Sequence, residues 1–113
     1  MDFLNMRIWV DDVRPAPYGH IWCKTVNEAK NIITCVTRMH DIECPNFLPC
    51  IHFLDLDHDA GEYAQYGGDY IEILNWLEKQ GWSIPIKLHT MNPVGRENMR
   101  VIIQKNGWTE VFE

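Results

Sequence analysis

The sequence lacks several features that would place the chain in a broad class of proteins. No apolar run approaches the roughly 20 residues that a membrane-spanning helix needs. The first five residues lack the basic start and apolar centre of a secretory signal. Ten basic residues face sixteen acidic ones, and the formal net charge of -6 argues against an extended nucleic-acid groove on a broad basic surface. We therefore expect a cytoplasmic protein with no membrane partner. A phosphate ligand is still compatible with this charge, because a bound divalent cation reverses the local field.

Cysteine is also sparse, and the four cysteines form neither a C-x-x-C pair nor a zinc-finger set with histidine. With 46% hydrophobic residues, the chain is expected to form a single domain over 1–113 whose core needs no disulfide framework. Cys23 and Cys35 fall within strand and helix patterns, and we interpret both as small buried hydrophobic residues. Cys44 and Cys50 flank a proline-containing loop and can pair only under oxidising conditions.

Strand-like and helix-like patterns alternate along the chain. Short β-rich runs predict strands at 6–10, 20–24, 51–56, 84–90 and 108–112. Apolar residues at helical spacing predict helices over 26–39, over 69–80 and between Asn92 and Asn106, with loops at 41–49 and 60–68. The order ββαβαβαβ is typical of an α/β sheet with helices on both faces. The five tryptophans are interpreted mostly as core residues.

The predicted helices carry local signals at their ends. Three pairs of residues have the spacing of a helix start: Thr25 with Glu28, Asp69 with Glu72, and Asn92 with Pro93. Gly81 lies where a left-handed C-terminal cap belongs. The link between the first two strands is too short for a helical crossover, which normally needs about a dozen residues or more. We therefore predict that these two strands pair antiparallel.

Three of the predicted strands end in polar clusters: Asp11-Asp12, Asp57-His58-Asp59 and His89-Thr90-Met91-Asn92. In open α/β sheets, ligands bind beyond the carboxyl ends of the strands, and parallel strands bring these ends to one edge. Carboxylates held so close repel one another unless a cation, arginines or shifted pKa values relieve them. We therefore predict a functional site at this edge of the sheet.

The acidic residues at this edge are candidate metal ligands. Asp11, Asp12 and Asp57 offer the oxygen ligands that Mg²⁺ or Mn²⁺ prefers. Asp59 is expected to cap a turn, a common role of aspartate. Asp55 shares a strand face with Asp57 and is either a further ligand or a solvated edge residue, so we leave it out of the predicted site.

Two of the five histidines, His58 and His89, end strands at the predicted site. The pair has two possible roles, which the sequence does not distinguish. They can act as general base and general acid on a phosphodiester, or they can bind a softer metal such as Zn²⁺. The other three histidines are interpreted as surface or core residues: His20, His40 and His52.

Phosphate is the expected ligand of the remaining polar residues. Asn92 begins a helix whose first N–H groups form an anion cradle, and arginine gives phosphate two parallel donors. Arg14 follows the acidic pair and Arg96 lies in the first turns of that helix. Each arginine can alternatively neutralise the nearby carboxylates, and both roles are compatible in different states of the site.

Four segments resemble the cyclic-phosphate processing receiver domains, a family similar to response-regulator receivers: VDDVRPAP at 10–17, LDHDAG at 56–61, GDY at 68–70 and HTMNPVGRENM at 89–99. The resemblance extends over about residues 6–105. It implies a receiver-like (flavodoxin-like) three-layer α/β sandwich of about five strands that lacks the first crossover helix. It also implies a role in processing cyclic phosphate, and it adds Thr90 and Asn98 to the candidate ligand-binding residues.

Together these features predict a metal-assisted phosphoesterase that acts on a cyclic nucleotide or on an RNA 2′,3′-cyclic phosphate end. Its catalytic residues would be His58, His89 and Asp57, and its partner a phosphate-containing small molecule or an RNA end. One alternative is a signalling receiver in which Asp57 accepts a phosphoryl group and Thr90 is the switch hydroxyl. Such receivers need a lysine at the end of the last strand, where this chain has Thr109 to Glu113 instead. Another alternative is a protein that binds a cyclic nucleotide without turnover. The oligomeric state is left open.

Overall fold

Five short parallel strands form the centre of the fold in the computed structural model, which describes residues 5–42 and 50–112. The elements follow the order β1 (Asn5–Val10), β2 (His20–Cys23), α1 (Val26–Ile42), β3 (Cys50–Leu56), a 3₁₀ helix (Gly61–Tyr66), α2 (Ile71–Gln80), β4 (Ile86–Leu88), α3 (Pro93–Lys105) and β5 (Glu110–Val111). The sheet order is β2-β1-β3-β4-β5. The receiver-like α/β fold and the predicted order of strands and helices are thereby confirmed.

The pairing of the first two strands differs from the prediction. β1 and β2 are parallel, with Arg7 opposite His20 and Val10 opposite Cys23. The segment 11–19 can reach roughly 30 Å when extended, at about 3.3 Å per residue. A strand of four residues is only about 13 Å long, so an irregular loop is enough to return the chain to the start of β2. The prediction was wrong because the usual crossover length includes a helix, and the helix is missing here.

All three helices pack on one face of the sheet. The connections from β2 to β3, β4 and β5 all move in the same direction, and right-handed crossovers then place their helices on the same side. One hydrophobic cluster accordingly joins alternate strand residues, such as Ile8 and Leu54, to residues of every helix. The described residues therefore form one helix layer and leave the second outer layer of the expected sandwich unfilled.

The helix ends show which local signals the fold uses. The Thr25 hydroxyl accepts a hydrogen bond from the N–H of Glu28 at 3.0 Å, and Gly81 has a left-handed φ of 72° after α2. Asn92 caps α3 as predicted, by accepting from the N–H of Gly95 at 3.0 Å. The capping box at Asp69 was wrong, because the Asp69 carboxylate accepts instead from the N–H of Ala60 at 2.9 Å.

Three smaller predictions also need correction. Cys23 is buried as expected, but Cys35 lies on the exposed side of α1. The segment 60–68, expected to be an irregular loop, contains a 3₁₀ helix. Residues 41–42 belong to α1, whereas the rest of the predicted 41–49 loop, Cys44 and the side chains of His40 and Cys50 lie outside what the structure describes. None of the described helices has the length and apolar character that crossing a membrane requires.

We expect the substitution Thr25→Ala to lower the free energy of unfolding by about 1 kcal/mol, because it removes the side-chain cap of α1. Thr37→Ala, in the interior of the same helix, is the matched control and should not destabilise the protein. Urea unfolding of the two variants and the parent chain measures both effects. Equal midpoints for the two variants would show that the Thr25 hydroxyl does not support the helix.

The ends of α2 and α3 are joined through Glu78, whose carboxylate accepts from the Asn106 amide at 2.6 Å and pairs with Lys105 at 3.0 Å. The Asn106 hydrogen bond, followed by the Lys105 hydrogen bond, holds the pKa of Glu78 below its usual value of 4.5. A carboxyl with a depressed folded-state pKa contributes stability above its unfolded pKa, and this is lost as the pH falls through the folded pKa.

Between neutral pH and about pH 3, we therefore expect the free energy of unfolding to fall more in the parent chain than in the Glu78→Gln variant. Chemical unfolding at a series of pH values measures the difference. Glu62→Gln, at an exposed site on the 3₁₀ helix, should keep the full pH dependence of the parent. If Glu78→Gln keeps it as well, the Glu78 carboxylate does not contribute to acid sensitivity.

Candidate functional site

The carboxyl ends of β1, β3 and β4 lie side by side, as the sheet order requires. The backbone N–H of Asp57 donates to the carbonyl of Val10 at 3.0 Å, and the N–H of His89 donates to that of Leu56 at 2.9 Å. These two bonds continue the ladder past the strands and hold the first residues of the polar segments in register. The predicted meeting of the three segments at one edge is confirmed.

Three side chains from these three strand ends converge. Asp11, Asp57 and His89 each offer one ligand atom, and the three atoms lie within 4.8 Å of one another. Two carboxylate oxygens and one imidazole nitrogen form a ligand set that suits a divalent cation. The set overlaps the predicted metal ligands at Asp11 and Asp57 and brings in His89, which the sequence suggested either as a proton carrier or as a ligand.

The imidazole of His89 is fixed on both edges and on one face. Its Nδ1 lies 2.7 Å from Asp55 Oδ1, and its Nε2 lies 2.9 Å from Asp11 Oδ2. The ring stacks on Trp9 with a centroid separation of 3.8 Å and an interplanar angle of 3°. Only 11% of the His89 side chain is exposed.

This geometry allows two protonation states. Carboxylates only accept hydrogen bonds, so an imidazolium that donates from both nitrogens satisfies Asp55 and Asp11 at once. In the neutral ring, Nδ1–H donates to Asp55, and the Nε2 lone pair then faces Asp11 and Asp57. The neutral ring is the form that binds metals. A metal-binding histidine usually donates its other N–H to a carboxylate, which fixes its tautomer and orientation. The residues present therefore fit a divalent cation when His89 is neutral.

Asp11 is completely buried, and its environment favours the ionised form. Burial raises its pKa, but the N–H groups of Arg14 and Val13, at 2.8 and 2.9 Å from Oδ1, and the hydrogen bond with His89 outweigh that effect. The pKa of Asp11 therefore lies below its ordinary value. A carboxylate that stays charged while buried is suited to hold a cation.

Asp12 has a different environment and is not part of the three-ligand cluster. Burial raises its pKa, and the negative charges of Asp11 and Asp57 raise it further. Its carboxylate lies against Gly61, where an added Cβ would be 2.6 Å from Oδ2. Gly61 also has a positive φ of 56°, so both backbone conformation and space favour glycine at this position.

Sequence reasoning missed two residues of the site, Asp55 and Trp9. Asp55 is buried and bonded to His89, so the option of a solvated edge residue is wrong. The available signal was its position two residues before Asp57, which puts both on one strand face. Trp9 was interpreted as core but stacks on His89 from β1, where it is paired with Asp55 of β3.

His58 belongs to a second group beside the metal cluster. Its Nδ1 lies 2.8 Å from Asp59 Oδ1, and the ring packs against Gly95, where an added Cβ would be 2.4 Å from Cγ. The amide of Asn92 donates to Asp59 Oδ2 at 3.3 Å. Asp59 thus orients His58 and contacts the cap of α3, rather than capping its own turn. Among the described residues, His58 Nε2 has no hydrogen-bond partner.

The start of α3 is a smaller anion cradle than the sequence suggested. Pro93 has no N–H, and the N–H groups of Gly95 and Arg96 already donate to Asn92. Only the N–H of Val94 is left for a ligand within this first turn. Asn92 therefore acts on α3 mainly as its cap, and a bound phosphate needs further donors.

The other predicted ligand-binding residues have different environments. Thr90 is buried; its hydroxyl accepts from the N–H of Asn92 at 3.1 Å and its carbonyl accepts from the Arg96 guanidinium. Arg14 has an exposed side chain, while its carbonyl accepts from the indole of Trp9 at 2.9 Å. Asn98 is exposed on α3, and no hydrogen bond between described residues connects it to the site.

The family model for cyclic-phosphate processing receiver domains matches residues 6–105 of this sequence. The chain belongs to this family. The matched region contains every strand end that contributes to the site, from Asp11 to Asn92, so the family assignment and the site geometry refer to the same part of the fold. No curated protein matches the chain, and no solved structure matches it either.

As a cyclic-phosphate processing receiver domain, the chain has an acidic cluster at the carboxyl edge of its sheet, which is where receivers bind a divalent cation. This member has His89 in direct contact with that cluster and His58 beside it, each bonded to a carboxylate. His52, which we interpreted as either a surface or a core residue, is exposed on β3.

Proposed function

We propose that this receiver domain is a metal-assisted phosphoesterase that hydrolyses a cyclic phosphate, on a nucleotide or on a 2′,3′-cyclic RNA end. The convergence of Asp11, Asp57 and His89 within 4.8 Å supports the proposal most strongly, because it combines a cation site with a histidine that a carboxylate supports. His58, with its own carboxylate partner, adds a group for proton transfer next to that site.

The cation is assigned to Asp11 and Asp57, with His89 as the nitrogen ligand. Asp12 lies close enough for the charges of Asp11 and Asp57 to raise its pKa. When bound, a divalent cation draws negative charge from the phosphate oxygens and so lowers the barrier to attack at phosphorus. Mg²⁺ prefers oxygen ligands, whereas Mn²⁺ and Zn²⁺ also accept imidazole. The ligand set therefore favours Mn²⁺ over Mg²⁺ and also admits Zn²⁺.

Hydrolysis of a cyclic phosphodiester adds one water, breaks one ring P–O bond and leaves a phosphomonoester. The attacking water must lose a proton and the leaving oxygen must gain one. His58 is assigned to proton transfer, because Asp59 holds its Nδ1 and leaves Nε2 for the substrate. His89 is assigned to the cation, as the nitrogen ligand beside Asp11 and Asp57. Arg14, Asn92 and Arg96 are assigned to the phosphate, with Thr90 and Asn98 at its periphery.

The signalling alternative is favoured by one observation, the location of Asp57 at the end of the central β3 strand. Two others count against it. The Thr90 hydroxyl, which would be the switch group, already accepts from the N–H of Asn92. The described residues at the end of β5 include no lysine. A third possibility is that the same cluster binds a cyclic nucleotide without hydrolysing it. This function differs from the phosphoesterase only in that no product is formed.

One experiment separates the three functions. The protein is incubated with 2′,3′-cyclic and 3′,5′-cyclic mononucleotides and with Mg²⁺, Mn²⁺ or Zn²⁺, and products are resolved by chromatography. We expect a phosphomonoester with at least one cation and none after chelation with EDTA. Acid-labile phosphate on Asp57 after treatment with acetyl phosphate, without turnover, would favour the receiver. Tight nucleotide binding without product or phosphoprotein would favour the binding protein.

A further inference from the structure

The sheet face opposite the helices carries a set of side chains of which only Trp9 contacts the site. Because side chains alternate along a strand, the residues between the core positions lie on this second face. We call it the open face and define it by Arg7, Trp9, His20, Phe53 and Lys87. All five side chains are at least partly exposed, and no described helix covers them.

The rings of the open face form one continuous row that begins at the candidate site. His89 stacks on Trp9 at 3.8 Å, and Trp9 meets the edge of His20 with centroids 6.3 Å apart. The row continues from His20 to Phe53 at 5.9 Å and from Phe53 to His52 at 5.2 Å. The far end of the row is thus connected to the predicted catalytic edge by ring contacts alone.

The charge of the open face is opposite in sign to that of the whole chain. Arg7 is exposed beside Phe53, its partner across the sheet, and Lys87 lies over the Phe53 ring at 5.8 Å. The one carboxylate that the strands place on this face, Asp55, is buried and already bonded to His89 and near Lys87. A locally cationic surface on a chain of net charge -6 is complementary to an anionic partner.

A pocket lies at the far end of the ring row. It is lined by Arg7, His52, Phe53 and Val111 and has a volume of about 220 Å³. Pockets for drug-sized ligands are larger, about 300–1,000 Å³. The size, the aromatic wall and the adjacent guanidinium suit a single planar base next to a phosphate.

We propose that the open face binds the last two or three nucleotides of a single-stranded RNA whose 2′,3′-cyclic phosphate end lies at His89. Sheets that bind RNA stack about two or three bases on exposed aromatic residues, and cations beside them contact the backbone. RNA is selected over DNA because a 2′,3′-cyclic phosphate requires the 2′-oxygen. Hydrolysis of the cyclic phosphate at the RNA end rests on the proposed function, whereas binding of the RNA to the open face does not.

The test measures RNA binding and hydrolysis of the cyclic phosphate in the same variants. Binding is measured with a five-nucleotide single-stranded RNA that carries a 3′-phosphate, and turnover with the 2′,3′-cyclic form of the same RNA and of a mononucleotide. Phe53→Leu keeps an apolar residue on the strand but removes the ring. Arg7→Gln removes an exposed charge without disturbing the core. The matched controls are Phe112→Leu and Arg38→Gln, both at exposed sites elsewhere.

We expect Phe53→Leu to weaken RNA binding at least about fivefold, since one stacked base contributes about 1–3 kcal/mol. Arg7→Gln should reduce the salt dependence of binding by about 0.7 in the slope of log K against log salt. Both variants should turn over the cyclic mononucleotide as the parent does, and both controls should leave RNA binding unchanged.

The outcomes distinguish this inference from the proposed function. Binding that depends on Phe53 without any turnover would support the RNA surface and contradict the phosphoesterase. Mononucleotide turnover with no gain in affinity from added nucleotides would support the phosphoesterase and overturn the RNA surface. A dimer in sedimentation that Phe53→Leu dissociates would overturn it too, because a second copy would then cover the open face.

Discussion

Replacing His89 with alanine is expected to lower kcat/KM for a cyclic phosphate by roughly 10²–10⁴-fold. The side chain contacts both Asp11 and Asp55, so its loss removes a ligand and leaves two buried carboxylates without a shared partner. The size of the loss follows from the removal of the nitrogen ligand that helps Asp11 and Asp57 to hold the cation. Turnover of a 2′,3′-cyclic mononucleotide with saturating Mn²⁺ measures it.

His52→Ala is the matched control for that substitution, because His52 is exposed on β3 and lies away from the carboxylate cluster. We expect the control to keep mononucleotide turnover within about twofold of the parent, as surface substitutions usually do. Circular dichroism and urea unfolding verify that both variants are folded. If His89→Ala folds and retains full turnover, His89 has no part in the reaction.

Asp55→Asn is expected to weaken binding of a divalent cation by roughly 10–100-fold, the usual effect of losing the carboxylate behind a metal-binding histidine. The substitution preserves shape and keeps an oxygen near Nδ1, but it removes the negative charge that fixes the ring and makes Nε2 a better ligand. Because Asp55 does not belong to the three-ligand cluster, it acts through His89 as a positioning residue. Calorimetric titration with Mn²⁺ measures the affinity directly.

Asp69→Asn is the control for the charge change, since the Asp69 carboxylate accepts from the N–H of Ala60 and has no contact with His89. It should alter stability without altering cation affinity. An Asp55→Asn variant that binds Mn²⁺ as tightly as the parent, while being less stable, would show that Asp55 is structural. The pH profile of turnover adds a second readout, because Asp55→Asn changes the environment of the His89 proton.

The site edge could be predicted from sequence because its signals are local and repeated. Each of three strands ends in polar residues, and parallel strands necessarily bring those ends together. Asp11, Asp57 and His89 were therefore identified before any geometry was known. The start of α3 was equally accessible, because Asn92 followed by Pro93 is a strong helix signal.

Three other features depend on contacts or geometry that the pattern used to predict them does not contain. Whether Asp55 is solvated or buried depends on His89, which arrives 34 residues later. Asp69 has the spacing of a cap, but the competing N–H of Ala60 takes its carboxylate. The direction of β2 depends on whether segment 11–19 can return without a helix. None of these contacts is encoded within a local window of the sequence.

The central claim is that Asp11, Asp57 and His89 bind one divalent cation, and the broadening of histidine ring signals by Mn²⁺ in NMR tests it most directly. Mn²⁺ relaxes nuclei strongly over short distances only. At substoichiometric Mn²⁺, we expect the ring signals of His89 to disappear first while those of His52 persist. If the His89 signals persist while Mn²⁺ broadens His52 or none of the histidines, the cluster is not a cation site.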